Sequence, residues 1–272
     1  MEINTDKKFR DHYGLLLENF KQKLYDNSLY PEKLSENLPY PFIPDYGKFY
    51  EESKFKFAFV GQDSKYDYCS GLKEFLSNTD PLKYSDILNY DLNDSESYPE
   101  FIDYTKGNSF WKFVLKFLSM FYSIDNWEDL KNNWGSDSNT KILGSFVHGN
   151  VNSIPNSPPD FNRSKGLNTE LWEKIKNASK IFDNSSHIIQ AFKPNVVFLF
   201  YWHAPEEWLP NARTEFEKFD PINLWYCFAK ETNTHFYWTY HPSAMRNNDS
   251  DEILSAIFNS IREKKLFDSL PK

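Results

Sequence analysis

The stretch from Phe55 to Asp63 constrains the fold more than any other part of the chain. A mostly apolar run, Phe55 to Val60, ends abruptly in Gly61-Gln62-Asp63. A run of this length that is rich in Phe and Val is typical of a buried strand, and glycine lets the backbone turn without a Cβ clash. The pattern therefore predicts a central strand with a carboxylate, Asp63, just after its carboxyl end. In open α/β sheets this edge is where ligands bind.

Further strands of similar design are predicted downstream. Residues 235–240 form an apolar strand that is followed directly by His241-Pro242-Ser243. Residues 141–147 read as a strand that ends before His148-Gly149-Asn150, and residues 196–202 read as an apolar and therefore central strand. Helical stretches separate these strands, which indicates a parallel sheet with helices on both faces. We expect an α/β fold of three layers, α/β/α, around a central, mostly parallel four-stranded sheet.

The segments between the strands carry the helical signals. Apolar residues recur on one helical face from about residue 6 to 26, after a cap at Asn108, between 171 and 192, and after a cap at Asp249 or Ser250. Residues 30–44 are Pro-rich and predicted to be extended, and residues 66–106 are predicted to be a long loop with short helices. No composition break divides the chain. We expect one domain over residues 1–272, with residues 1–50 packed on it.

Composition limits the function classes. The net charge of −8 counts against nucleic-acid binding, but six acidic residues cluster between 86 and 103, which leaves room for a basic face elsewhere. Two isolated cysteines, Cys69 and Cys227, do not make a zinc ribbon or an iron–sulfur site. The chain has no apolar run of about 18 residues and no apolar signal core at its N-terminus, so we expect a cytoplasmic protein without a membrane partner.

Polar groups follow three of the predicted strands: Asp63, Asn150 and His241. Each has an ordinary structural interpretation when taken singly. Asp63 suits a turn or a helix cap, Asn150 beside Gly149 suits a left-handed turn, and a histidine before proline suits a structural hydrogen bond. Because the carboxyl ends of parallel strands meet at one edge, we expect all three, and with them Trp202-His203, to converge.

The order of these motifs resembles that in the uracil-DNA glycosylase superfamily. The similarity runs from about residue 55 to 246. It rests on Gly61-Gln62-Asp63, on Asn150 or the alternative Asn152, on Lys193-Pro194 before an apolar strand, on His241-Pro242-Ser243, and on Gly107-Asn108-Ser109-Phe110-Trp111, which resembles the family's Gly-x-x-Phe-Trp helix start. The resemblance implies a uracil-DNA glycosylase-like fold and a monomeric DNA N-glycosylase. Such an enzyme flips out and excises a base, needs no cofactor or metal ion, and leaves an abasic site.

The resemblance also implies a role for each matching residue. Asp63 would stabilise the oxocarbenium-like sugar and orient water, and His241 would donate a hydrogen bond to the departing base. Asn150 offers one acceptor and two donors for the base edge. An apolar wedge would fill the gap in the stack. The remaining expected contacts are Gln62, Tyr66 and Tyr68 on the base, and Lys65, Arg163, Ser243, Met245 (the wedge) and Arg246 on DNA.

The chain departs from the uracil-specific pattern beside Asp63. Ser64 and Lys65 replace the Pro-Tyr pair whose tyrosine closes the family's pocket against a substituent at C5. The substrate expected is therefore uracil or a bulkier modified pyrimidine, such as those of phage DNA. Two alternatives stay open: a small-glycoside or nucleoside hydrolase, which the acidic charge favours, and a non-catalytic nucleic-acid-binding module with the same fold.

Overall fold

The computed structural model describes residues 4–34, 38–47, 49–63, 71–77, 80, 108–132, 141–142, 144–154, 169–183, 185–201, 216–245 and 249–267. The α-helices there are α1 (Asn4–Asp26), α2 (Leu72–Ser77), α3 (Ser109–Phe121), α4 (Trp127–Asn132), α5 (Thr169–Ser179), α6 (Ser185–Phe192) and α7 (Asp249–Glu263). The strands are β1 (Asp45–Tyr46), β2 (Phe57–Asp63), β3 (Phe146–Asn152), β4 (Val196–Phe200), β5 (Glu217–Phe219), β6 (Leu224–Ala229) and β7 (Thr234–Thr239). Short 3₁₀ turns lie at Pro31–Lys33, Lys180–Phe182 and Pro242–Ala244.

In the described part of the chain the strands form one sheet of seven, in the order β1-β3-β2-β4-β7-β6-β5. The neighbours among β3, β2, β4 and β7 pair in parallel, whereas β1, β6 and β5 each pair antiparallel with the strand beside them. The expected α/β class is confirmed. The sheet is larger than the expected four strands and is mixed. Neither β1, which has two residues, nor the β5–β6 hairpin was predicted, although the residues of β6, Leu224–Ala229, form an apolar run.

The order of the parallel strands creates a topological switch point. The chain passes from β2 to β3 on one side, and from β4 to β7 on the other side. The carboxyl ends of β2 and β4 therefore border the crevice where ligands bind in open α/β sheets. Pairing of β2 with β4 extends only to Val60 and Leu199, while pairing of β2 with β3 continues to Asp63 and Asn152.

Alternate residues of the central strands enter two separate hydrophobic cores. Ala58 and Val60 of β2 pack with α1, α5 and α6 on one face of the sheet. Phe57 and Phe59 pack with α3 and α7 on the other face, where the Phe59 and Phe198 rings stack with centroids 4.9 Å apart. Helices therefore cover both faces. No helix in the described ranges is long and apolar enough to cross a membrane.

Helix α3 begins at the carboxyl edge of the sheet because of its cap. The Asn108 side chain accepts hydrogen bonds from the backbone N–H groups of Phe110 (3.0 Å) and Trp111 (3.3 Å). These N–H groups have no partner within a helix, so the cap satisfies two of them. The cap predicted at Asn108 is confirmed, and it fixes Phe110 in the first turn.

The expected end of two strands was wrong. A strand was predicted at residues 141–147, but residues 141–142 are helical and 144–145 form a turn. The observed strand, β3, begins at Phe146 and runs on to Asn152. Likewise β2 continues through Gly61-Gln62-Asp63 instead of turning at Gly61. The parallel pairing of β2 with β3 satisfies the backbone groups of these residues and keeps both strands extended.

Candidate functional site

The Asn150 amide of β3 lies beside Gly61 of the neighbouring strand β2. The parallel register makes Gly61 the partner of Asn150. A Cβ at Gly61 would stand 2.8 Å from Asn150 Oδ1, closer than real Cβ contacts, and 3.7 Å from Phe110 Cε2. Gly61 is therefore needed for space and not for a turn. Its missing side chain leaves room for the Asn150 amide.

The Phe110 ring connects three parts of this edge. Its centroid lies 5.2 Å from the His148 ring, 5.5 Å from the Phe200 ring and 6.0 Å from the His241 ring. The Phe110 and His241 planes are within 11° of parallel. The apolar periodicity after Asn108 predicts Phe110 on the buried face of α3, and the side chain is only 5% exposed. Its place in the Phe-Trp helix start was the signal that pointed to the site.

His241 is held by Ser243 in a defined hydrogen-bonding state. Its Nδ1 accepts from the Ser243 backbone N–H at 3.3 Å and lies 2.7 Å from the Ser243 hydroxyl. A backbone N–H can only donate, so Nδ1 is the acceptor, and the proton of the neutral ring is on Nε2. In neutral His241, Nε2 is therefore the nitrogen that can donate a hydrogen bond.

The backbone register places Asp63 at the height of His241 along the strands. Val60, Leu199 and Trp238 lie in one row across β2, β4 and β7. Asp63 comes three residues after Val60, and His241 comes three residues after Trp238. The two residues therefore follow the strands on either side of β4 by the same distance. Gln62 is half-buried in the same edge.

Several other expected site residues can be placed only in part. Ser243 is exposed, and Met245 is half-buried against the core beneath α3 and α7, so its role as a wedge stays a prediction. Others lie outside the described residues: Lys65, Tyr66, Tyr68, Arg163, Arg246 and the pair Trp202-His203.

The described residues show no group of three or more His, Cys, Asp or Glu side chains that could hold a metal ion. Cys227 is buried in the core, and burial raises the pKa of its thiol to about 12. A thiol in that state is a packing group and not a nucleophile. What the site can do rests on Asn150, with donors and an acceptor, on the donor of His241, and on the apolar ring of Phe110.

This combination suits a planar ligand with a polar edge. An aromatic ring provides a surface for a flat molecule, and an amide and an imidazole provide directional hydrogen bonds. A scan against protein-family models and a search of curated proteins found no match to this chain. The relationship to uracil-DNA glycosylases stays a prediction based on the motifs.

Proposed function

We propose that this protein is a DNA N-glycosylase that excises uracil or a modified pyrimidine and leaves an abasic site. The observation that supports this most is that Asn150 Oδ1 and the Phe110 ring border the same space at Gly61, and that the Phe110 ring lies nearly parallel to His241. These are the groups that a flipped pyrimidine needs: a ring to lie against and hydrogen bonds along its edge. A uracil-DNA glycosylase-like fold is part of the same proposal.

Each residue has a step in the proposed reaction. As the bond between the sugar and the base breaks, its electron pair moves to the base and positive charge develops on the sugar. The Asp63 carboxylate stabilises that charge and orients the water that attacks C1′. His241 donates its Nε2–H to the base oxygen that becomes negative, and Asn150 binds the edge of the base.

The same proposal assigns the DNA contacts. The base leaves the stacked bases of the DNA before it reaches Phe110, and Met245 enters the space that the base leaves in the DNA. Ser243 contacts the backbone near the flipped nucleotide, together with Lys65, Arg163 and Arg246. Gln62 and either Tyr66 or Tyr68 complete the base pocket of a monomeric enzyme.

A base-release assay tests the proposal. Purified protein is incubated with single- and double-stranded oligonucleotides that carry one uracil or one 5-hydroxymethylcytosine, and with phage DNA that carries glucosylated cytosine, and alkali-labile sites are counted. We expect release from at least one substrate and none by Asp63→Asn, whose circular dichroism should match that of the wild type. Release by Asp63→Asn at the wild-type rate would remove the carboxylate from the mechanism.

A second candidate function has one observation in its favour. The net charge of −8 repels DNA phosphates and suits hydrolysis of a small nucleoside or glycoside instead. Free pyrimidine nucleosides in the same assay distinguish the two. Hydrolysis of nucleosides with no release from DNA would favour this alternative, and DNA binding without any release would favour a non-catalytic module.

A further inference from the structure

Asp45 and His148 form a carboxylate–imidazole pair beside the candidate site. They face each other in the antiparallel pairing of β1 with β3, and His148 Nδ1 lies 3.3 Å from Asp45 Oδ2. The side chain of Asp45 is 1% exposed, and that of His148 is 12% exposed. A carboxylate this deeply buried needs hydrogen-bond donors, and His148 supplies one of them.

The pair defines which nitrogen of His148 carries the proton. A carboxylate only accepts hydrogen bonds, so His148 Nδ1 is protonated and donates to Asp45. In the neutral ring Nε2 then keeps its lone pair and is an acceptor. This is the reverse of His241, whose Nδ1 accepts from Ser243 and whose Nε2 carries the proton. The two imidazoles that contact Phe110 therefore offer opposite hydrogen-bonding groups.

His148 is close to the groups that the proposed reaction uses. It precedes Asn150 by two residues on β3, so the two side chains are on the same face of the sheet. Its ring packs against the rings of Phe42, Phe110 and Trp111, with centroids 5.2, 5.2 and 4.9 Å away. The two ring nitrogens point away from each other. Because Nδ1 faces the outer strand β1, Nε2 faces away from it, and within the described part of the chain it makes no hydrogen bond.

We propose that His148 is a second base-contacting residue of this site, which accepts a hydrogen bond at Nε2 from an N–H or O–H group of the bound pyrimidine. Asp45 is the positioning residue that holds this tautomer. The identity of the ligand rests on the proposed function, whereas the tautomer follows from the geometry of the pair. Such an acceptor fits the ring N3–H of uracil, the exocyclic amine of cytosine or the hydroxyl of a hydroxymethyl group.

Nitrogen NMR of the protein labelled with ¹⁵N-histidine tests the inference without relying on catalysis. In the free protein, His148, assigned with His148→Gln, should show a protonated Nδ1 and an unprotonated Nε2. Addition of 1-methyluracil, 1-methylcytosine or 1-methyl-5-hydroxymethylcytosine should shift the Nε2 signal for whichever base presents the donor. The His187 and His235 signals serve as internal controls. His187 lies on α6, and His235 lies on β7, which is separated from β3 by β2 and β4.

A matched ligand makes the test specific. 1,3-Dimethyluracil differs from 1-methyluracil only in lacking the N3–H donor, so it should leave the Nε2 signal in place. A protonated Nε2 in the free protein, or an Nε2 signal that no base moves, would overturn the inference. Base-induced shifts at His148 together with an inactive protein would instead support the contact and reject the proposed glycosylase activity.

Two variants add a kinetic readout. His148→Phe keeps a ring of similar size among the aromatic neighbours but removes the acceptor, and it should slow single-turnover base release roughly tenfold. Asp45→Asn lets an amide N–H donate to Nδ1, which moves the proton to Nε2, and the NMR signal of His148 should report that change. Base release by His148→Phe at the wild-type rate, from a folded protein, would contradict the proposed contact.

Discussion

Replacing Gly61 by alanine is expected to displace the Asn150 amide while leaving the core in place. The new Cβ would lie 2.8 Å from Asn150 Oδ1, whereas the next nearest atoms, Phe110 Cε2 and Gly149 O, are at ordinary contact distances of 3.7 and 3.9 Å. Gly61 does not have a positive φ, so alanine fits its backbone conformation. Relief of the clash to an ordinary contact of about 3.4 Å moves the amide by roughly 0.6 Å.

The magnitude follows from that displacement. A misplacement of about 1 Å in a reacting geometry costs on the order of 100-fold in rate, so a shift of roughly 0.6 Å should slow base release by about ten- to 100-fold. This corresponds to about 1.4–2.7 kcal/mol of transition-state stabilisation. The free energy of unfolding should change by less than about 1 kcal/mol, because the loss of chain entropy on folding is smaller for alanine than for glycine.

A double-mutant cycle with Asn150→Ala under single-turnover conditions isolates the cause. If Gly61→Ala acts by moving the amide, it should have little further effect once that amide is absent. Gly61→Ala at the wild-type rate would refute the reasoning. An equal loss in the Asn150→Ala background would show that alanine acts through another contact.

Two other glycines provide matched controls. A Cβ at Gly149 would meet Ile188 Cδ1 at 2.7 Å on the opposite face of the sheet, so Gly149→Ala should cost about 1–3 kcal/mol of stability and leave the rate of the folded enzyme unchanged. A Cβ at Gly14, in α1, would meet nothing within 4 Å. Gly14→Ala should stabilise the protein by up to about 1 kcal/mol without changing the rate.

Three further results are expected. Gly47→Ala would bring a Cβ within 2.1 Å of the backbone oxygen of Gly144, so it should destabilise the protein by at least about 2 kcal/mol in urea unfolding. A smaller loss would mean that the backbones at Gly47 and Gly144 can move apart. Asn108→Ala should cost about 1 kcal/mol in the same assay and Asn108→Asp much less, and equal losses would contradict the cap. Burial, helped by nearby Lys264, lowers the pKa of His235 to about 4. The unfolded chain takes up this proton near pH 6.5 and the folded chain only near pH 4, so stability should fall as the pH falls from 6.5 to 4. His235→Phe should make the melting temperature less dependent on pH in this range. An unchanged pH dependence would contradict a neutral His235 in the folded protein.

Local patterns in the sequence predicted the parts of the fold that depend on short-range periodicity. The apolar runs at β2, β4 and β7 and the capped helix α3 are all present. Asn150 and His241 were predicted at the carboxyl edge; there Asn150 borders the space at Gly61 that Phe110 also borders, and the His241 ring lies 6.0 Å from the Phe110 ring. Runs of this kind are informative because one face or both faces of the element must be buried.

The remaining features depend on contacts between segments far apart in the chain. The extension of β3 to Asn152 depends on pairing with β2, and no pattern within residues 141–152 indicates it. The role of Gly61 as space for Asn150 becomes visible only when the two strands are side by side. In the same way, Asp45 and His148 are 103 residues apart, and only the pairing of β1 with β3 brings them together.

The most direct test of the central claim is a crystal structure of Asp63→Asn bound to DNA that contains the base released in the assay. The claim is that the carboxyl edge of β2 and β3 binds a flipped pyrimidine. We expect the base to lie against the Phe110 ring, with the Asn150 amide and His241 Nε2 within hydrogen-bonding distance of its edge. A base bound elsewhere on the protein, or one that remains stacked in the duplex, would contradict the account.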